Sequence, residues 1–138
     1  MKAGRRILAA METHARTGIR VVIAARPAVQ RKLHEALTAA GMQVAADCGD
    51  AAELLAAVSR ERPDVCVLDR ELRGGGLVAT AAIAAPARAP KVLIVGGRGS
   101  PAELRAASLA GAAACLPGEI TAAGLVAAVT SVVEKEEP

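Results

Sequence analysis

The chain of 138 residues contains no phenylalanine, tyrosine or tryptophan. Its core must therefore be built from aliphatic side chains and methionine, without large aromatic rings. The absence of aromatic rings also removes the platform on which bases of single-stranded nucleic acid usually stack. We therefore expect no direct nucleic-acid binding by this domain.

Strong net charge and long apolar runs are lacking as well. Seventeen basic residues against fourteen acidic ones leave a formal net charge of +3, without the long block of like charges typical of a nucleic-acid arm. Near the amino terminus, Glu12 interrupts the short apolar stretch that follows Arg5 and Arg6, which argues against a signal peptide. No other window is apolar over the length of a membrane span. We expect a cytoplasmic protein without membrane contact.

Residue patterns that bind metals are also absent. Cys48, Cys66 and Cys115 form no CxxC or Cys/His spacing, so we expect reduced thiols that act as small buried hydrophobic groups. His14 and His34 are isolated in the sequence. The sequence therefore predicts neither a disulfide framework nor a metal site.

What the sequence does contain is a regular alternation of two patterns. Short apolar runs rich in β-branched residues alternate with segments in which apolar residues recur at helical spacing. The predicted strands cover residues 19–25, 42–48, 64–69, 91–95 and 112–116. The predicted helices cover about residues 27–40, 51–62, 77–85, 101–110 and 121–133, and Pro63 stops the second of them. Five such units predict an α/β fold, a doubly wound five-stranded parallel sheet with helices on both faces.

The domain is predicted to span residues 19–133, between an N-terminal extension (1–18) and a charged C-terminal tail (134–138). Asp50 with Glu53, and Ser100 with Glu103, have the spacing of capping boxes at helix starts. The loop over residues 96–99 (GGRG) is either a plain connection or a cradle for an anion at a helix N-terminus. In such sheets, functional groups gather beyond the carboxyl ends of the strands.

Three segments carry a resemblance to a known family: IRVVIAARPAV (19–29), RPDVCVLDRELRGGGLVAT (62–80), and KVLIV (91–95) with LAGAAACLPGE (109–119). Residues from about 19 to 133 resemble the receiver domain of bacterial response regulators, most closely those that precede a LuxR-type helix-turn-helix. The resemblance implies the flavodoxin-like strand order 2-1-3-4-5.

The resemblance also assigns roles to positions around the third strand. Asp69 stands where the family has its phosphoacceptor carboxylate. The acidic pair that normally holds Mg²⁺ beside it is replaced by Ala24 and Ala25. Because Mg²⁺ requires oxygen ligands, we expect Mg²⁺ binding to be lost and predict no cofactor.

Three further positions depart from the family pattern. Gly96 stands in place of the Thr or Ser that contacts the phosphoryl group, Cys115 in place of the aromatic switch residue, and Gly118 in place of the lysine. Asp69 then has two interpretations: a residual or vestigial acceptor, or an acidic residue that merely ends a strand.

The loops around this site are rich in arginine: Arg26, Arg70, Arg73 and Arg98. Guanidinium groups match phosphate and carboxylate groups bidentately, so Arg26, Arg73 and Arg98 are candidate anion-binding residues. The alternative is that these arginines are ordinary solvated surface residues.

The resemblance therefore implies an atypical receiver, or pseudo-receiver, of two-component signal transduction. Such a module is not an enzyme, acts through protein–protein contact, and regulates transcription through a DNA-binding output domain outside this chain. We expect a protein partner or a homodimer through the last two helices, of which the final one carries the apolar stripe Leu125, Val126, Val129, Val132 and Val133. The alternatives are a conventional phosphorelay receiver phosphorylated on Asp69, and a sensor of small anions on the same fold.

Overall fold

The computed structural model describes residues 18–86 and 89–134. The predicted extension and tail, apart from Gly18 and Glu134, lie outside the described residues. The strands are β1 (Arg20–Ala24), β2 (Gln43–Cys48), β3 (Val65–Asp69), β4 (Lys91–Val95) and β5 (Ala114–Leu116). The helices are α1 (Pro27–Ala39), α2 (Ala51–Glu61), α3 (Gly76–Ala84), α4 (Pro101–Ala110) and α5 (Ala122–Glu134).

The five strands form one parallel sheet in the order β2-β1-β3-β4-β5, which confirms the predicted doubly wound fold. In the register, Ala24 lies opposite Leu68, and Asp69 lies opposite Val95. The carboxyl ends of β1, β3 and β4 therefore meet at one edge of the sheet. Functional groups of this fold are expected at that edge.

The core has two layers because successive side chains of a strand point to opposite faces of the sheet. From β1, Val21 and Ile23 pack with buried residues of α1 and α5, whereas Val22 packs with buried residues of α2, α3 and α4. Every residue of β3 is buried, which explains its nearly continuous apolar sequence. None of the described helices has the length and apolar character that a membrane span requires.

The predicted element boundaries differ from the observed ones mainly at β5. This strand begins at Ala114 rather than at residue 112, because the Ala112 N–H donates to the Ala107 carbonyl oxygen and closes the end of α4. The capping box predicted at Ser100 and Glu103 is confirmed. The one predicted at Asp50 is half right: Asp50 caps the Glu53 N–H, but the Glu53 carboxylate accepts from the Gly49 N–H instead.

Candidate functional site

Asp69 is the last residue of β3, and it is only 1% exposed. Its Oδ1 accepts a hydrogen bond from the Glu71 backbone N–H (2.9 Å), and its Oδ2 accepts one from the Arg26 backbone N–H (3.1 Å). The loop after β3 and the loop after β1 therefore both donate to the same carboxylate. Two backbone donors alone would leave half of its acceptor capacity unused.

The Arg26 side chain supplies the remaining donors. Its Nε lies 2.7 Å from Asp69 Oδ2, and its Nη2 lies 3.1 Å from Oδ1. This is the bidentate geometry in which a planar guanidinium matches both oxygens of a carboxylate. Each oxygen of Asp69 thus accepts two hydrogen bonds, and the negative charge has a cation in direct contact.

The ion pair is stable in its charged form at neutral pH. Burial raises the pKa of Asp69, but the hydrogen bonds from Arg26 and Glu71 and the charge of Arg26 outweigh it, so that this pKa is lowered overall. The same hydrogen bond and charge raise the pKa of Arg26. Asp69 is therefore a carboxylate, and its counter-charge comes from the chain itself.

Ala24, the last residue of β1, and Ala25, the next residue, carry no carboxylate at this edge of the sheet. Ala24 and Ala25 are both fully buried, and the Ala25 N–H donates to the Cys48 carbonyl oxygen (3.0 Å). Among residues 18–86 and 89–134, no group of three His, Cys, Asp or Glu side chains could hold a metal ion. The donor set does not fit Mg²⁺, because one carboxylate that already accepts four hydrogen bonds offers it too few oxygens.

Gly96 and Gly118, which the sequence predicts to replace functional residues of the family, lie next to each other. The Gly96 N–H donates to the Leu116 carbonyl oxygen (2.9 Å), and the Gly118 N–H donates to the Gly97 carbonyl oxygen (3.0 Å). A side chain on Gly118 would come within 3.7 Å of the Gly96 Cα. The structure thus brings the positions predicted for the phosphoryl contact and the lysine together at the ends of β4 and β5.

Arg70 lies over this turn. A Cβ on Gly96 would come within 2.9 Å of the Arg70 Cβ, so the missing side chain leaves room for the arginine. Burial raises the pKa of the Cys115 thiol, and the positive charge of Arg70 opposes that shift. The Arg70 Nη1 is buried and has no hydrogen-bond partner within the described part of the chain.

The loop between β4 and α4 is filled by a side chain of the protein. Glu103 Oε1 accepts hydrogen bonds from the backbone N–H groups of Arg98 (2.9 Å), Gly99 (2.9 Å) and Ser100 (3.2 Å). These bonds, first that from Ser100, lower the pKa of Glu103. The loop does cradle an anion at a helix N-terminus, but the anion is the carboxylate of Glu103.

The three candidate anion-binding arginines are therefore placed differently. Arg26 contacts Asp69, whereas the side chains of Arg73 and Arg98 are exposed. The Arg73 carbonyl oxygen accepts from the Ala51 N–H (2.8 Å), so its backbone position is fixed. Away from this edge, His34 Nδ1 lies 2.9 Å from Asp47 Oδ2.

The sequence interpretation missed the partnership between Arg26 and Asp69. The signal was present, because a buried carboxylate requires a cation and the two alanines that precede Arg26 remove the ligands for a metal. It also missed that Glu103, already recognised as a capping residue, occupies the neighbouring loop.

Comparisons with known proteins agree with this fold. The family model of the response regulator receiver domain matches residues 21–130. The signal receiver domain of the putative response regulator NarL from Mycobacterium tuberculosis is 28% identical, with a TM-score of 0.78 over 84% of this chain and 96% of that one. A LuxR-family two-component response regulator from Aurantimonas sp. is 27% identical, with a TM-score of 0.75 over 84% of this chain and 85% of that one.

A third structure shows the fold alone. The DNA-binding response regulator of the LuxR family from Staphylococcus aureus is 22% identical, with a TM-score of 0.77 over 83% of this chain and 98% of that one. No curated protein sequence matches the chain. Because the family match covers most of the chain, including β1 and Asp69, this chain belongs to the response regulator receiver domain family.

Proposed function

We propose that this chain is an atypical receiver domain that transmits a signal by protein–protein contact without phosphoryl transfer to Asp69. The observation that supports this proposal is the replacement of the acidic pair by Ala24 and Ala25, both fully buried. Phosphoryl transfer to a carboxylate depends on a cation that neutralises the charge developing on the phosphoryl oxygens. In the part of the chain that the structure describes, no group of three His, Cys, Asp or Glu side chains could hold such a cation.

The contact surface that we propose lies on the last two helices. The stripe on α5 is largely used by the core, because Leu125, Val129 and Val132 are buried against the sheet. On α4, in contrast, Leu104 is 43% exposed and Leu109 is 82% exposed. These apolar side chains of α4 are the residues available to a protein partner or a second copy of the chain.

Within that framework, the module is regulatory rather than enzymatic and acts in the cytoplasm. The LuxR-family response regulator from Aurantimonas sp. supports the further proposal that this domain controls transcription through a DNA-binding domain outside the described residues.

The test is incubation of the protein with Mg²⁺ and a small acyl phosphate, followed by intact mass measurement. We expect no phosphorylated species, whereas a receiver that keeps both carboxylates should be modified in parallel. Modification that disappears in the Asp69→Asn variant would instead establish the conventional phosphorelay receiver.

A second candidate function is the sensing of small anions. The exposed side chains of Arg73 and Arg98 lie in loops beyond β3 and β4, at the edge where this fold binds ligands. Titration of inorganic phosphate into the wild type and an Arg73→Ala, Arg98→Ala double variant tests it. No saturable amide shifts at millimolar phosphate would reject the anion sensor.

A further inference from the structure

We infer that Arg26 has replaced the divalent cation as the permanent counter-ion of Asp69 and blocks this carboxylate against metal ions. The inference rests on the proposed function and explains how the site is kept inactive. It makes Arg26, rather than only the two alanines before it, a determinant of the lost chemistry.

The first argument is the geometry of the contact. A metal ion binds a carboxylate through the same lone pairs that accept hydrogen bonds, and Mg²⁺ must approach to about 2.1 Å. Here Arg26 Nε lies 2.7 Å from Oδ2, and Nη2 lies 3.1 Å from Oδ1. Any ion that binds Asp69 must first displace both donors.

The second argument is that the arginine is held in place by its own backbone. Arg26 is the N-cap of α1, with Pro27 at the first helical position. The Arg26 backbone N–H donates to the oxygen that also accepts from its Nε. The backbone and the side chain of Arg26 therefore both donate to the same carboxylate.

The charge and the exposure of the two side chains also support the inference. The single positive charge of Arg26 neutralises the single negative charge of Asp69. Carboxylates at positions 24 and 25 would add two more negative charges, which a divalent ion would have to neutralise. The Arg26 side chain is 51% exposed while Asp69 is 1% exposed, so the guanidinium lies between the carboxylate and the solvent. Removal of Arg26 should therefore open Asp69 to cations from solution.

The probe for this inference is Mn²⁺, whose paramagnetism broadens amide NMR signals close to a bound ion. The reporter is the Glu71 amide, which donates directly to Asp69. We expect no saturable broadening of this signal in the wild type at millimolar Mn²⁺. In Arg26→Gln, which keeps a polar side chain without the charge, we expect selective broadening of the Glu71 amide. Arg31→Ala, which removes an exposed arginine of α1, should behave as the wild type.

A second pair of variants makes the test quantitative. The Ala25→Asp substitution restores one carboxylate. It is made once in the chain that keeps Arg26 and once together with Arg26→Gln. If Arg26 blocks the site, the double variant Ala25→Asp, Arg26→Gln should bind Mn²⁺ at least about tenfold more tightly than Ala25→Asp alone, a difference of about 1.4 kcal/mol.

The outcomes separate the inference from the function on which it rests. Saturable Mn²⁺ binding at Asp69 in the wild type would refute both. No binding in the wild type with equal behaviour in Arg26→Gln would leave the proposed function intact and reject the role of Arg26.

If the variants do not fold, a measurement on the wild type still tests the inference. The Nε–H of Arg26, which donates to Asp69, should exchange with water more slowly than the Nε–H of the exposed Arg31. Rapid exchange of this signal would overturn the inference.

Discussion

The Nε of Arg26 lies 2.7 Å from Oδ2 of Asp69, and this contact joins the loop after β1 to the carboxyl end of β3. In sequence the two residues are far apart, but their strands are neighbours in the sheet. The contact gives Asp69 a cation that does not depend on the solution. The site is therefore fixed in a single charge state at neutral pH.

The first prediction concerns stability. Arg26→Ala leaves a buried negative charge with two backbone donors, whereas Asp69→Asn leaves a half-exposed arginine that water can solvate. Because an unpaired buried charge costs more than a solvated one, Arg26→Ala should be the less stable variant. Urea unfolding followed by circular dichroism is suitable, since the chain has no aromatic fluorophore. An Arg26→Ala variant that is as stable as Asp69→Asn, or more stable, would contradict this prediction.

The second prediction concerns pH. The folded state lowers the pKa of Asp69, so its contribution to stability is present above the unfolded-state pKa of about 3.9 and is lost as pH falls through the folded value. The free energy of unfolding should therefore decrease below about pH 4. Asp69→Asn should show a shallower decrease, with the remainder due to groups such as Glu103. Identical pH profiles of the two proteins would show that Asp69 makes no such contribution.

The fold was predictable from the sequence because its signals are local and repeated. The continuous apolar run of β3 and the capping box at Ser100 each specify their element without reference to the rest of the chain. The predicted strand order already places β1 beside β3, but the contact between Arg26 and Asp69 was not predicted because it depends on the side-chain geometry in the loop after β1. Residue type indicated that Arg26 binds an anion, but only the structure shows that the anion is Asp69.

The third prediction concerns the loop between β4 and α4. Gly97 has φ +80, and a Cβ there would come within 2.7 Å of the Glu103 carboxylate. Gly99 has φ +75, but a Cβ there would meet nothing within 4 Å. Gly99→Ala should therefore lower the free energy of unfolding by about 1 kcal/mol, through backbone strain alone. Gly97→Ala should lower it by more, because the added Cβ also displaces Glu103. Equal losses of unfolding free energy would show that Glu103 does not hold this loop.

The fourth prediction concerns association through the last two helices. Leu109 is 82% exposed on α4, and burial of such a side chain in an interface contributes about 2 kcal/mol. Leu109→Glu should therefore weaken self-association by about tenfold or more, measured by sedimentation. Val78→Glu is the matched control, because Val78 is 72% exposed on α3, outside the proposed surface. A wild type that remains monomeric at high micromolar concentration would exclude the homodimer.

We propose that Asp69 is already neutralised by Arg26 and does not respond to a phosphoryl group. It is tested most directly by adding Mg²⁺ and beryllofluoride, a phosphoryl mimic, to the wild type while recording amide NMR spectra. We expect the amide signals of Glu71 and Arg26, whose N–H groups both donate to Asp69, to keep their positions at saturating additive. Saturable shifts centred on these two amides would contradict it and establish a working phosphorylation site.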